Sequence, residues 1–360
     1  MGTINIVEVL AAALRLRASD IHLSAGAAPL VRVDGRLVAI PGYPALTQET
    51  CKMLVYSMLS EAQRAKFEED FELDLSLSLA DKSRFRVNVL TQRGRVEAAL
   101  RPIPGLIPGP EMLGLGPMVM SLADLPRGLV LVTGPTGSGK STTLACLIDH
   151  INQNYPKHII TIEDPIEFIY PKGRALVRQR EVGPDTHSFQ TALRQSLRED
   201  PDVILVGEMR DLETIALTLT AAETGHLCFS TLHTLGAADT LDRILDVFPP
   251  QQQAQVRVQL ANSLRAVVSQ MLLPRSDGKG RIAARELMLV NPAIANLIRE
   301  SKTHMIQNTI ETGGSAGMFT IDRALAELVR RGIVSRGEAL ARAQDPERLG
   351  SLLSRLTTVS

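Results

Sequence analysis

Eight consecutive residues near the middle of the chain have the types and spacing of a phosphate-binding loop. They are Gly134, Pro135, Thr136, Gly137, Ser138, Gly139, Lys140 and Ser141. Glycines let successive backbone N–H groups converge on an anion, and a helix that begins there adds the positive end of its dipole. We expect Lys140 to reach the β- and γ-phosphates of a nucleotide and Ser141 to hold Mg²⁺, with Thr142 completing the binding set.

The residues on either side of this loop supply the strand and helix that it requires. Residues 129–132 form a short, branched apolar run typical of a buried strand, and residues 142–150 have a helical pattern. The alternative is a glycine-rich turn beside a solvated lysine. Because loop, lysine, hydroxyl and both flanks occur together, the sequence favours nucleotide binding.

A second apolar run, residues 158–162, is followed by three carboxylates, Glu163, Asp164 and Glu167. In open α/β sheets, ligands bind outside the carboxyl ends of the strands, so we expect these acids near the phosphate loop. A carboxylate there can hold Mg²⁺, directly or through water, or accept a proton from the water that attacks the γ-phosphate. Solvated surface charge is the alternative.

A third apolar run, residues 203–206, leads through Gly207 to Glu208. Phosphate-loop nucleotidases need an acid after such a strand, commonly an aspartate. The longer side chain of Glu208 can still reach the metal, and we expect it to do so through water, because Mg²⁺ usually keeps several water ligands. Arg210 follows, and it can steady phosphate or pair with Asp211, of which we favour the pairing.

A fourth apolar run, residues 227–232, ends at His233. A polar side chain at this strand end can sense whether the γ-phosphate is present. For His233 we leave a role in the site and a purely structural role equally open.

Length and composition indicate a two-domain globular protein. The chain has 360 residues, of which 44% are hydrophobic and 22% charged. Lysine plus arginine equals aspartate plus glutamate at 39 each, so no overall basic field would attract nucleic acid. The three cysteines are far apart and predict neither a disulfide framework nor a zinc site. With no signal-type segment and no membrane-spanning run, we expect a cytoplasmic protein.

The first part of the chain has the pattern of a small α+β domain. Helical and alternating segments fill residues 1–100, with a hairpin predicted at Asp34 and Gly35. Residues 101–123 begin with a high density of proline and glycine and are predicted as a linker, which is either a passive tether or a hinge.

The remaining residues, 124–360, are predicted as an α/β nucleotide-binding domain with a helical C-terminal part. Within it, residues 251–271 are predicted as one helix and residues 281–290 as a strand.

Together these residues resemble the type IV pilus retraction ATPases of the secretion and pilus superfamily of hexameric motors. The resemblance extends over nearly the whole chain. It rests on residues 18–26, the phosphate loop, the aspartate box 161–168, residues 197–211 and the histidine box 230–234.

The resemblance implies a PAS-like N-terminal domain, a RecA-like phosphate-loop ATPase domain, and a ring of six subunits with ATP held between the domains. At matching positions it makes Glu167 the catalytic glutamate and Glu208 the Walker B acid that holds Mg²⁺ with Ser141. It places Glu163 in the aspartate box and His233 in the histidine box, as further candidate catalytic residues.

The resemblance also implies partners and a location. These are further copies of the same chain in a homohexamer, an inner-membrane pilus platform protein, and a paralogous retraction ATPase, at the cytoplasmic face of the bacterial inner membrane. The family's C-terminal motif appears at residues 293–300, where Ala295 replaces the usual arginine.

Three other functions remain as alternatives. An assembly ATPase of pilus extension or type II secretion usually has a longer N-terminal part and often a four-cysteine zinc insertion, and this chain has neither. A hexameric nucleic-acid translocase is disfavoured by balanced charge, 3% aromatic residues and the absence of tryptophan. A nucleotide-sensing scaffold without turnover is disfavoured by the three acids Glu163, Glu167 and Glu208.

Overall fold

The chain divides into two compact units, Met1–Leu106 and Ile107–Ser360. The structure is a computed structural model, and it describes residues 4–33, 35–79, 83–103 and 105–356. The division falls inside the segment predicted as a linker. Each unit has its own hydrophobic core.

The first unit is a six-stranded antiparallel sheet with helices. Its strands are β1 (Asp20–Leu23), β2 (Leu30–Val33), β3 (Arg36–Ala39), β4 (Glu72–Ser78), β5 (Arg84–Gln92) and β6 (Arg95–Ile103), in the spatial order β3-β2-β1-β6-β5-β4. Its helices are α1 (Ile6–Arg15), α2 (Gln48–Tyr56) and α3 (Glu61–Asp70). The apolar stripes of α1 and α2 pack with inward-facing strand residues in one core, as the α+β prediction requires. Asp34, in the predicted hairpin turn, lies outside the described residues.

The predicted linker contains more regular structure than its composition indicates. Strand β6 continues to Ile103, and two one-turn helices follow, α4 (Pro110–Leu113) and α5 (Pro117–Met120), before a 3-10 turn at Ser121–Asp124. Both helices begin with proline, a position where the missing N–H costs nothing because the first N–H groups of a helix have no partner within it. The prolines therefore begin these helices instead of preventing them.

The second unit is built on a seven-stranded sheet. Its strands are β7 (Gly128–Thr133), β8 (His158–Glu163), β9 (Leu176–Glu181), β10 (Val203–Val206), β11 (Leu227–Leu232), β12 (Leu264–Pro274) and β13 (Arg281–Leu289). The spatial order is β13-β12-β7-β11-β10-β8-β9, and every neighbouring pair is parallel except β12 with β13.

Helices cover both faces of this sheet. They are α6 (Lys140–Asn154), α7 (Phe189–Ser196), α8 (Leu212–Glu223), α9 (Ala237–Asp246), α10 (Pro250–Ser263), α11 (Pro292–Arg299), α12 (Ile306–Thr312), α13 (Ile321–Arg330), α14 (Arg336–Arg342) and α15 (Pro346–Leu356). In β7, Leu129 and Leu131 pack in one core cluster and Val130 and Val132 in another, so the strand is buried on both sides. Within the described residues, no helix is both long and apolar enough to cross a bilayer.

The single helix predicted over residues 251–271 is wrong. Helix α10 ends at Ser263 and strand β12 begins at Leu264, parallel to β7. A continuous apolar run such as residues 266–268 is compatible with a buried helix or a buried strand, and periodicity does not separate the two. These residues form a strand because β12 supplies the hydrogen-bonding partner of β7 on the side away from β11.

All three cysteines are buried and unpaired. Burial raises the pKa of Cys51 and of Cys146 to about 11, and that of Cys228 to about 12. These thiols are therefore protonated at neutral pH and act as small apolar side chains.

Replacing Phe229 tests the role of the central strand β11. This ring is fully buried in the core cluster that includes Val130 of β7 and Leu147 of α6, so we expect Phe229→Ala to lower the free energy of unfolding by about 3–5 kcal/mol through lost burial and a cavity. Urea unfolding followed by circular dichroism measures the change. Val258→Ala, at a half-exposed position on α10, is the control and should stay within about 0.5 kcal/mol of the parent. Equal effects of the two variants would contradict the assignment.

Candidate nucleotide site

The phosphate loop connects β7 to α6, as predicted. Gly139 is the residue before the helix, and its φ of 87° lies in the left-handed region that glycine favours. Gly134 has a φ of 143°, and a Cβ there would lie 2.1 Å from the carbonyl oxygen of Gln270 on β12. The loop therefore needs these glycines both for its backbone conformation and for its close contact with β12.

The Lys140 ammonium is folded back against the loop. Its Nζ donates to the carbonyl oxygens of Gly134 at 2.9 Å and Pro135 at 3.1 Å, and the residue is 8% exposed. Burial lowers the pKa of Lys140, while the negative charges of Glu208 and Glu167 act in the opposite direction. Both predicted acids thus act on the loop lysine, as the sheet-edge argument requires.

The hydroxyl groups of Ser138 and Ser141 are also suited to binding a nucleotide. The Ser138 hydroxyl is buried and has no hydrogen-bond partner among the described residues, which is costly unless a ligand supplies one. Ser141 lies one residue into α6 and is partly exposed, so its hydroxyl is available to a Mg²⁺ ion bound with the nucleotide.

Glu208 lies just beyond the end of β10 and contacts two side chains, an arginine and a histidine. Its carboxylate pairs with the Arg210 guanidinium, and its Oε2 lies 3.3 Å from Nε2 of His233. The predicted pairing of Arg210 with Asp211 is wrong. Asp211 instead caps α8, because its carboxylate accepts from the Thr214 N–H at 2.9 Å and from the Thr214 hydroxyl at 2.7 Å. The contact between Glu208 and His233 joins the predicted Walker B acid to the predicted histidine box.

Gly207 allows the ends of two strands to approach closely. A Cβ at this position would lie 3.2 Å from the Ile162 carbonyl oxygen and 3.4 Å from the Cα of Glu163. The Gly207 N–H donates to the Ile162 carbonyl at 2.8 Å, and the Thr231 hydroxyl donates to the Gly207 carbonyl at 2.7 Å. The backbone of Gly207 thus links the carboxyl ends of β8, β10 and β11 by hydrogen bonds, next to Glu208.

Glu163 points into the protein. Its Oε1 accepts from the Thr161 hydroxyl at 2.6 Å and from Nε2 of Gln179 at 3.3 Å, and its carboxylate also accepts from the Glu167 N–H. Burial raises its pKa even though these donors favour the charged form. In these contacts Glu163 supports the loop that carries Glu167.

Strand β9, which the sequence analysis did not identify, holds the rest of that loop. Gln179 accepts from the Tyr170 N–H at 3.1 Å and donates to the Phe168 carbonyl at 2.8 Å, and Glu181 accepts from the Ile166 N–H at 3.1 Å. The intervening Glu167 remains exposed. No local motif marks Gln179 or Glu181, since their partners lie 9 to 16 residues away in sequence.

The C-terminal motif with the unusual alanine forms α11. Ala295 is 8% exposed and packs in the same core cluster as Ile294 and Ile298. On the polar side of the helix, Arg299 donates to the Asn262 side chain at 3.0 Å. At position 295 the helix thus presents a small side chain to the core.

The strand, glycine loop and helix, with acids at the ends of neighbouring parallel strands, define the second unit as a RecA-like phosphate-loop ATPase domain. A sequence profile of the family described as type II/IV secretion system protein matches residues 3–340. The chain belongs to this family.

The chain is similar over nearly its whole length to pilus motors. It is 51% identical to the type IV pilus retraction ATPase PilT of Pseudomonas aeruginosa, over 95% of this chain and 99% of that one. It is 48% identical to a twitching motility protein of Neisseria gonorrhoeae, over 92% and 90% of the two chains. A crystal structure of the pilus retraction motor PilT with bound ADP superposes with a TM-score of 0.92 at 49% identity, covering 97% of this chain and 99% of the other.

Removing the Gln179 amide tests whether β9 positions Glu167. We expect Gln179→Leu to leave a folded protein that is about 1–3 kcal/mol less stable and turns over ATP at least tenfold more slowly, because the loop loses its supports. Steady-state phosphate release and urea unfolding measure the two effects. Arg178→Gln, on the same strand but paired with Glu199 at the surface, is the control and should retain turnover. Normal kcat in Gln179→Leu would exclude the positioning role.

Proposed function

We propose that this chain is an ATPase motor that hydrolyses ATP to power the retraction of type IV pili. The observation that carries the enzymatic part is that two carboxylates, Glu167 and Glu208, follow neighbouring parallel strands and act by their charges on the buried ammonium of the phosphate-loop lysine. A nucleotide binder without turnover has no need for an exposed acid held beside the loop. Both acids follow strands that are direct neighbours in the sheet.

In this mechanism Lys140 exchanges its loop carbonyls for oxygens of the β- and γ-phosphates, and the loop N–H groups hold the phosphate chain. Glu167 orients a water molecule and accepts its proton as the oxygen attacks the γ-phosphorus. The bond from that phosphorus to the β-phosphate oxygen breaks, giving ADP and inorganic phosphate.

Ser141 and Glu208 are the residues that would hold Mg²⁺. When bound, the ion neutralises negative charge on the phosphates. Glu208 pairs with Arg210 and lies 3.3 Å from Nε2 of His233. We infer that His233 reads the state of the γ-phosphate through this contact with Glu208, and that phosphate release is the event that lets the motor move.

The assignment to pilus retraction rests on the relatives. PilT of Pseudomonas aeruginosa is named as a pilus retraction ATPase and matches almost end to end. We propose that six copies of the chain form a ring that acts at the cytoplasmic face of the inner membrane. There it would engage the membrane protein at the base of the pilus, together with a paralogous retraction ATPase in cells that have one.

Glu167→Gln tests the catalytic assignment. Because the amide cannot accept a proton, we expect steady-state turnover to fall about 10²- to 10⁴-fold while ATP binding is retained. Phosphate release and a direct nucleotide titration measure the two properties. Glu69→Gln, at an exposed position of α3 in the first unit, is the control and should retain turnover, whereas Lys140→Ala should weaken binding itself. Unchanged phosphate release from Glu167→Gln would refute the assignment.

Deleting the gene in its host tests the direction of the motor. If the chain drives retraction, pili accumulate on the cell surface and twitching stops, because assembly continues without disassembly. Electron microscopy and a surface motility assay measure both. Complementation with the parent gene should restore retraction, and complementation with Glu167→Gln should not. Loss of pili on deletion would instead assign the chain to pilus assembly.

A further inference from the structure

Gln270, on β12, contacts both the phosphate loop and the first turn of the helix α6 that follows it. Its Nε2 donates to the Ser138 carbonyl at 2.7 Å, and the side chain is almost fully buried. The backbone at Gly134 approaches the Gln270 carbonyl, and a Cβ at Gly139 would lie 3.3 Å from the Gln270 amide nitrogen. The loop thus curves around this one residue.

The hydrogen bond to Ser138 fixes the orientation of a peptide group in the loop. A trans peptide directs its C=O and its N–H to opposite sides. Because the Ser138 carbonyl points to Gln270, the Gly139 N–H points away from it. That N–H is one of the donors that a phosphate loop offers to its anion. Gln270 therefore controls the direction of a phosphate-binding donor without touching the nucleotide.

The other half of the Gln270 amide is also engaged. Its Oε1 accepts from the Thr143 hydroxyl at 2.9 Å and from Nε of Arg285 at 3.3 Å. The site needs a donor towards Ser138 and an acceptor towards Thr143 and Arg285, and an amide supplies both. A glutamate would place a negative oxygen against the Ser138 carbonyl, and a methionine would leave all three partners unpaired.

Arg285, on β13, connects Gln270 to the segment that precedes the ATPase sheet. Its Nη1 donates to the carbonyl oxygens of Leu113 at 2.9 Å and Gly114 at 3.3 Å, at the end of α4. Arg285 is 7% exposed, and within the described residues it forms no ion pair with a carboxylate. Burial lowers its pKa to about 10. Burying a guanidinium is costly, and here its charge is balanced only by neutral oxygens, so this position is specialised for the fork of donors that arginine provides.

We propose that Gln270 and Arg285 are positioning residues for the phosphate loop, which they tie to the chain at Leu113 and Gly114. In this arrangement a movement of the Ser138 peptide on nucleotide binding is transmitted through Gln270 to Arg285 and to the carbonyls at the end of α4. The inference rests on the proposed nucleotide binding, but not on turnover or on the pilus. It gives residues 113 and 114, which lie inside the segment predicted as a linker, a direct connection to the site.

Hydrogen exchange with and without ADP tests the connection. In the parent protein we expect ADP to change the exchange of the amides at residues 113–115, and we expect that change to be lost in Arg285→Met and Gln270→Met. The Kd for ADP should rise about tenfold in Gln270→Met, which frees the loop peptide, and less in Arg285→Met, which removes one of the two donors to Oε1. Arg285→Lys should restore part of the exchange response. Arg281→Met, an exposed arginine on the same strand, is the matched control and should match the parent in both measurements.

Several outcomes would overturn the inference. One is a parent protein that binds ADP without any change at residues 113–115. Another is a folded Arg285→Met that keeps both the parent's ADP affinity and its exchange response. If Gln270→Met does not fold, Gln270→Glu replaces it, and normal ADP affinity in that variant counts against the positioning role. A parent that binds ADP and shows the exchange response but hydrolyses no ATP would disprove the proposed function while leaving this inference intact.

Discussion

The structure depends on the parallel alignment of four strands, β8, β10, β11 and β7, whose carboxyl ends meet at one edge of the sheet. In that register Val206 pairs with both Ile162 and Ser230, and Leu232 pairs with Thr133. Each chemically active segment begins one to four residues after such a strand end. No single segment makes the site. The register of the backbone hydrogen bonds makes it, and a glycine at position 207 lets two of the strand ends close together.

A second constraint is electrostatic. The two cationic side chains of the site, Lys140 and Arg210, each have a partner within the protein. The Lys140 ammonium rests on loop carbonyls, and Glu208 rests between Arg210 and His233. A nucleotide therefore enters by exchanging partners instead of uncovering bare charges. Such pairings lower the cost of holding charged groups in a partly buried site.

Much of this could be predicted from the sequence, and what could not has physical causes. The phosphate loop and the acids after residues 162 and 206 were predictable because their chemistry is encoded in contiguous residues. Strand β12 was mistaken for a helix because a buried apolar run has no period that separates the two. The positioning role of Gln270 could not be predicted, for another reason. Gln270 and Ser138 are 132 residues apart in the sequence. No local pattern distinguishes this glutamine from other polar residues in strands, because its hydrogen-bond partners are close only in the folded protein. Arg210 was assigned to the wrong acid since sequence proximity favoured Asp211, while the backbone used Asp211 to begin α8.

The three buried cysteines give the chain a practical property. Each thiol is shielded from solvent and holds its proton well above neutral pH, so maleimides and similar reagents find almost no thiolate in the folded protein. The native cysteines should therefore not react when an introduced cysteine is labelled. A cysteine introduced at an exposed position such as Met112, 78% of whose surface is accessible, would take up a fluorophore or spin label alone, without removal of any native residue.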